Sequence, residues 1–183
     1  MKTNNRQLTT NNGFTLIELL TAVSIFSIVM VVSMGSIVGI FDANRKSRAL
    51  KTVISNLNLA LESMSKEMRF GKDYHCGSSG SDLTPRNCSS GDSYLSFKAS
   101  DDSQVTYRLS GQSIEKRVDS ESYIAVTAPE IVIDDLTFYT LGAGTSDTLQ
   151  PKIIMKLKAH SGDGKGRSDL SLQTLVSQRV PDL

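Results

Sequence analysis

The sequence predicts an α+β fold in which one long N-terminal helix packs on a C-terminal antiparallel β-sheet head. Three observations predict it. Leu19 to Phe41 is a run of 23 residues without a charge. Leu50, Ile54, Leu57, Leu61, Met64 and Met68 recur at steps of 4, 3, 4, 3 and 4, which is one face of a helix. From Tyr94 onward the pattern changes to short alternating segments separated by turn residues. These features divide the 183 residues into a polar segment 1–13, an apolar helix 14–41, an amphipathic helix 42–72 and a β-rich head 73–183.

The polar segment, "MKTNNRQLTTNNG", carries only Lys2 and Arg6 as charges. The apolar segment follows at Phe14. A helix rises about 1.5 Å per residue, so 23 uncharged residues can cross a hydrocarbon core of about 30 Å. The segment is not an ordinary secretory signal. Its apolar part exceeds the usual 7–15-residue core, and no small-x-small cleavage site follows it. The only glycine at the junction, Gly13, precedes the apolar run. Cleavage there leaves the apolar segment on the mature protein with Phe14 as its new terminus.

Glu18 is the only charge between Phe14 and Phe41. A carboxylate at membrane depth costs about 2.5–3.5 kcal/mol on insertion scales, so it usually has a partner and a function. Nothing in the apolar run neutralises it. A positive α-amine at Phe14, four residues away, would do so within one helix or between neighbouring helices. The competing reading places Glu18 in the headgroup layer, reaching toward water.

Gly13 followed by Phe14-Thr15-Leu16-Ile17-Glu18, after a basic polar leader and before a long apolar helix, resembles the class III signal of type IV pilins and type II secretion pseudopilins. The resemblance implies a pilin-like fold. It implies that prepilin peptidase removes residues 1–13 on the cytoplasmic side, cutting after Gly13, and methylates the new amine of Phe14. It also implies that Glu18 of each subunit meets the terminal amine of its neighbour during assembly. The carboxylate then sets the stacking register, as a buried polar group does in a helix bundle.

Charge alone leaves the orientation open. Lys2 and Arg6 favour a cytoplasmic N-terminus, whereas Arg45, Lys46, Arg48 and Lys51 after the span pull the other way. The resemblance and the cysteines favour N-in, with the basic cluster meeting lipid phosphates or acidic neighbours. Gly35 and Gly39 form a G-x-x-x-G spacing, read equally as a helix-contact face or as ordinary membrane-helix glycine. No proline precedes Pro85, so the helix is expected to run unbroken from about Thr15 to about Phe70.

Overall composition bounds the function. Mean hydropathy is −0.15, so most of the chain is expected to be soluble, and the apolar content is concentrated at one end. The 20 basic and 19 acidic residues give a net charge of +1, which argues against direct nucleic-acid binding. Residues 42–72 carry net +4 (7 basic, 3 acidic) and residues 73–183 net −4 (11 basic, 15 acidic). The acidic head disfavours DNA further.

Gly71 is expected to cap the helix. The Ser- and Gly-rich "CGSSGSDLTPRNCSSGD" reads as a loop. Cys76 and Cys88 bracket 11 of its residues. In an oxidising compartment they are expected to form a disulfide, worth about 3 kcal/mol for a loop near this size. His75 beside Cys76 lacks the further ligands of a zinc tetrad, and no C-x-x-C redox motif exists. The head strands are expected at 94–99, 104–118 (two strands about Ser110-Gly111), 130–141 with a bulge or break at Asp134-Asp135, 152–159 and 170–178. They form a sheet with one face covered by the amphipathic helix.

Within the head, "GQSIEKRV", "PEIVIDDLTFY", "QPKIIMKLKA" and "LQTLVSQR" resemble J-type minor pseudopilins and W-type minor pilins. The compact Cys-bracketed loop departs from that pattern. No nucleophile elbow, P-loop or H-E-x-x-H is present. Asp101-Asp102 and Asp134-Asp135 lack the spaced oxygens of a calcium loop and read as solvated turn carboxylates. His160 reads as an exposed residue of the turn "HSGDGKGRSD". No cofactor, metal or catalytic residue is expected, and an enzyme is disfavoured.

The resemblance therefore implies a structural subunit, by head size a minor one, of a type IV pilus or type II secretion pseudopilus. Its expected partners are other pilin or pseudopilin subunits, prepilin peptidase, the assembly platform and motor, and the lipid bilayer. Its expected place is the inner membrane, as a single span with the head extracytoplasmic, and then a filament. The alternative is a membrane-anchored binding head such as an adhesin or DNA-uptake component.

Overall fold

The computed structural model describes residues 13–144 and 149–179. The expected leader residues 1–12, including Lys2 and Arg6, and part of the turn after Leu141 lie outside the described residues. One α-helix, α1, spans Leu16–Phe70. Among the described residues nine strands follow: β1 Lys72–Cys76, β2 Cys88–Asp92, β3 Tyr94–Lys98, β4 Gln104–Ser110, β5 Ser113–Val118, β6 Ile124–Ala125, β7 Val132–Leu141, β8 Lys152–Ser161 and β9 Ser168–Ser177. The chain divides between Asp42 and Ala43 into two compact units.

The first unit is the apolar stretch of α1. Every described residue in it up to Phe41 is exposed, and its large apolar side chains are 46–83% exposed. The hydroxyl groups do not need outside partners. Ser24, Ser27, Ser33 and Ser36 each donate to the carbonyl four residues back, at 2.8–3.3 Å. Thr21 donates to the Glu18 carbonyl at 3.0 Å. Such internal pairing makes the polar side chains of the run compatible with hydrocarbon.

In the second unit the rest of α1 buries Val53, Leu57, Ala60, Met64 and Met68. This face is rotated from the expected stripe. Leu57, Met64 and Met68 are buried, but Leu50 and Ile54 are at the exposed margin and Leu61 is half-buried. Val53 and Ala60 are buried in their place.

The strands make two antiparallel sheets rather than the single one expected. One is five-stranded, in the order β1-β3-β4-β5-β6. The other is four-stranded, in the order β2-β7-β8-β9. Leu95, Phe97, Val105, Tyr107 and Ile114 of the first sheet and Ile133, Leu136, Phe138, Ile153, Met155 and Leu157 of the second form one buried core with α1. The inward parity of β7 changes between Ile133 and Leu136 because the ladder with β8 is bulged between Ile133 and Asp135. The Asp134-Asp135 pair sits at that bulge, where both side chains avoid the core.

The two sheets separate because "CGSSGSDLTPRNCSSGD" is not wholly a loop. It starts at Cys76, the last residue of edge strand β1, and ends in edge strand β2, and the two strands belong to different sheets. Between them Arg86 N donates to Tyr74 O at 2.9 Å, and Cys76 N donates to Arg86 O at 3.1 Å. The turn then folds over the outer face of the five-stranded sheet. Tyr94 Oη donates to Asp82 Oδ2 at 2.7 Å, and Gln104 Nε2 donates to the Asp82 carbonyl at 3.3 Å. Ser96 and Thr106, on the outward face, are fully buried.

Gly71 does not take the left-handed backbone of a C-cap; Asp73 does, at φ 54°. The helix end is closed from outside instead. The Tyr74 hydroxyl donates to the Gly71 carbonyl at 2.7 Å and lies against the Met68 carbonyl. Arg179 N donates to the Arg69 carbonyl at 2.8 Å. Gly71 is needed for space: a Cβ there would meet Phe97 Cδ2 at 2.6 Å.

Candidate functional site

The N-terminal residues Gly13 to Glu18 form the candidate processing and assembly segment. Gly13 and Phe14 precede the helix and are exposed, and no atom lies within 4 Å of the Gly13 Cβ position. The Gly13–Phe14 bond is therefore uncovered by the described residues of its own unit. Thr15 is the N-cap. Its Oγ1 accepts the Glu18 amide at 3.3 Å, and its carbonyl accepts the Leu19 amide at 3.2 Å. Thr15-Leu16-Ile17-Glu18 is thus a T-x-x-E capping sequence, with Glu18 in the first turn where the helix dipole favours a carboxylate. Sequence reasoning passed over Thr15, although the spacing was there to be seen.

Glu18 is exposed, and among the described residues no ion pair involves it. Among the described residues, its charge has only the helix terminus beside it. Gly35 and Gly39 face open space, with nothing within 4 Å of either Cβ position. No described part of the same chain uses their small size.

Cys76 and Cys88 are brought together at disulfide distance, with Cα atoms 5.6 Å apart. They join β1 to β2 and hence tie the edges of the two sheets. His75, an acid–base candidate by residue type, is instead 1% exposed. Its Nδ1 lies 2.7 Å from the Thr84 carbonyl and its Nε2 3.2 Å from the Ser79 carbonyl. The ring pins the intervening turn under the cysteine pair.

Glu67 ties α1 to the five-stranded sheet. Tyr107 Oη donates to its Oε2 at 2.8 Å, and Lys116 Nζ lies 2.6 Å from its Oε1. Burial first, and the Glu67 charge second, push the Tyr107 phenol well above its usual ionisation range. The turn carboxylates behave as expected of solvated groups: Asp101 accepts Ser103 and Asp102 pairs with Lys72 at 2.6 Å.

His160 differs from expectation. Its side chain is 13% exposed, and Nδ1 lies 2.8 Å from Asp134 Oδ2. It belongs to β8 rather than to the turn, and the β7 bulge delivers Asp134 to it. Asp134 and His160 come from strands 26 residues apart, so no local spacing signals the contact.

In comparison with known proteins, no curated protein and no solved structure matches the chain. Residues 8–34 match the family described as the prokaryotic N-terminal methylation motif, a segment that spans Gly13, Phe14 and Glu18 and most of the apolar run. At its N-terminus, this chain carries the signal of the type IV pilins and pseudopilins.

Proposed function

We propose that the chain is a structural subunit of a type IV pilus or type II secretion pseudopilus. The observation that carries this reading is the methylation motif at residues 8–34, which supports a pilin- or pseudopilin-like role, interaction with other pilin subunits and prepilin peptidase, and a structural rather than catalytic protein. The exposed apolar helix supports a membrane-anchored subunit. In this reading residues 1–13 are the leader, 14–41 the membrane and assembly helix, 42–72 its amphipathic continuation and 73–183 the head. Hydrolysis of the Gly13–Phe14 bond frees the Phe14 amine, which is then methylated. The amine and Glu18 of neighbouring subunits pair, so that apolar helices associate in one register. The N-terminus is cytoplasmic and the head lies beyond the inner membrane, where Cys76 and Cys88 oxidise. The platform and motor drive assembly.

The head is large and irregular for a bulk building block, which supports a minor subunit. The J-type or W-type assignment rests on the four head fragments alone. Mass spectrometry of the purified protein tests the reading. Loss of residues 1–13 together with one added methyl group is expected. An intact leader in cells that contain the peptidase overturns it.

A further inference from the structure

We propose that Asp134, His160 and Asp169 form a binding site for a first-row divalent transition ion of the zinc type, and that Arg167 is the group such an ion displaces. The inference does not depend on the filament reading. Each donor comes from a different one of three adjacent strands, β7, β8 and β9. In the ladder His160 stands opposite Asp169 on one side and opposite Val132 on the other. Asp134 is at the β7 bulge and turns toward the same imidazole. One donor atom from each residue lies within 4.8 Å of the other two.

An ion with bonds of about 2.0–2.2 Å holds tetrahedral donors roughly 3.5 Å apart. The three groups need only side-chain rotation to reach that spacing. His160 is the fixed donor, at 13% side-chain exposure. Asp134 and Asp169, at 39% and 65%, stand toward solvent and are held by His160 and Arg167 rather than by the core. One imidazole with two carboxylates suits zinc and its neighbours. Calcium takes six to eight oxygens, and magnesium keeps several waters around few carboxylates. Three protein donors leave a fourth position for water.

Charge points the same way. The two carboxylates face one guanidinium: Arg167 Nη2 is 2.7 Å from Asp169 Oδ1 and 3.9 Å from Asp134 Oδ2. Arg167 compensates half of the negative charge. A divalent ion on the same carboxylates compensates all of it. The Arg167 pair is exposed and screened by water, so its displacement is cheap beside the gain from direct ligation.

The test uses the full chain in detergent with its cysteine pair oxidised. After chelation, it is titrated with Zn2+ by calorimetry and with Co2+ by visible absorption, in excess Ca2+ and Mg2+. One ion per chain is expected. Asp134→Asn and His160→Gln should abolish binding, with folding checked by circular dichroism. Arg167→Gln, an exposed change that removes the competing cation, should bind about tenfold more tightly. Failure of wild type and Arg167→Gln to bind either ion overturns the proposal. So does a folded His160→Gln protein with unchanged affinity, or an Arg167→Gln protein that binds no more tightly, since either result means adventitious binding only.

Discussion

Substituting Glu18 by Gln separates two physical roles that coincide at this residue. As the third residue of the helix behind the Thr15 cap, Glu18 stabilises the helix start through the terminal dipole. That contribution is about 0.3–1 kcal/mol. As a charge at membrane depth it costs about 2.5–3.5 kcal/mol, which capping alone does not offset. A pairing with the Phe14 amine of a neighbour, at about 4 Å and an effective dielectric near 20, contributes roughly 4 kcal/mol and reverses the balance. Gln keeps the hydrogen-bonding shape of a capping box and loses the charge. If the charge is what matters, Glu18→Gln and Glu18→Ala should both insert normally, and both should fall out of filaments to the same extent. The assay is the ratio of subunit in sheared filaments to subunit in membranes. Thr15→Ala, which removes the cap at a cost of about 1 kcal/mol, should retain incorporation. Wild-type incorporation of Glu18→Gln together with loss for Glu18→Ala would refute the pairing argument and leave a capping role.

Two further outcomes concern the head. Cys76→Ala with Cys88→Ala should lower its unfolding free energy by about 3 kcal/mol, from the chain entropy of a cross-link spanning 12 residues. Chemical denaturation with and without reductant checks it, and a loss below a third of that value refutes the staple. The Tyr107 phenol is held neutral above its ordinary value of 10.0 by burial and by Glu67. Its contribution is therefore complete below about pH 10. It is lost as pH rises further, because the unfolded chain ionises first. Tyr107→Phe should flatten the fall in stability measured by urea titration between pH 9 and 11, and an unchanged slope counts against the assignment.

The sequence displayed whatever depends on neighbours along the chain. The uncharged run, the helix from Thr15 to Phe70, the alternating strands and the Asp134-Asp135 bulge are all set by local pattern. What it hid depends on partners far away. The helix stripe was misplaced by part of a turn because Leu50 and Ile54 match the periodicity as well as Val53 and Ala60 do, and only the sheet decides between them. Strand β2 looked like loop because Ser, Gly and Asp dominate it, and β1 is too short and too polar to show an alternating pattern. Their pairing is held by backbone ladders and by the Cys76–Cys88 contact rather than by side-chain propensity. Gly71 looked like a cap because it follows the helix, yet the limiting factor there is the Phe97 ring. Asp134, His160 and Asp169 meet only through register across three strands.

The N-terminal motif was legible for two reasons that overlap. Thr15 and Glu18 are residues that many helix starts would choose, so their presence separates a pilin-type signal from an ordinary helix only weakly. Discrimination rests on what capping does not require. Gly13 leaves its bond to Phe14 exposed, Phe14 begins the apolar run, and the first-turn carboxylate opens 23 uncharged residues rather than a soluble helix. In water, a first-turn Glu is a small local stabiliser. Ahead of a span with no other charge, it is an expense that the helix terminus does not cover. The proposed cleavage of the Gly13–Phe14 bond would supply a compensating positive group, the Phe14 amine, within one helix or between neighbouring helices.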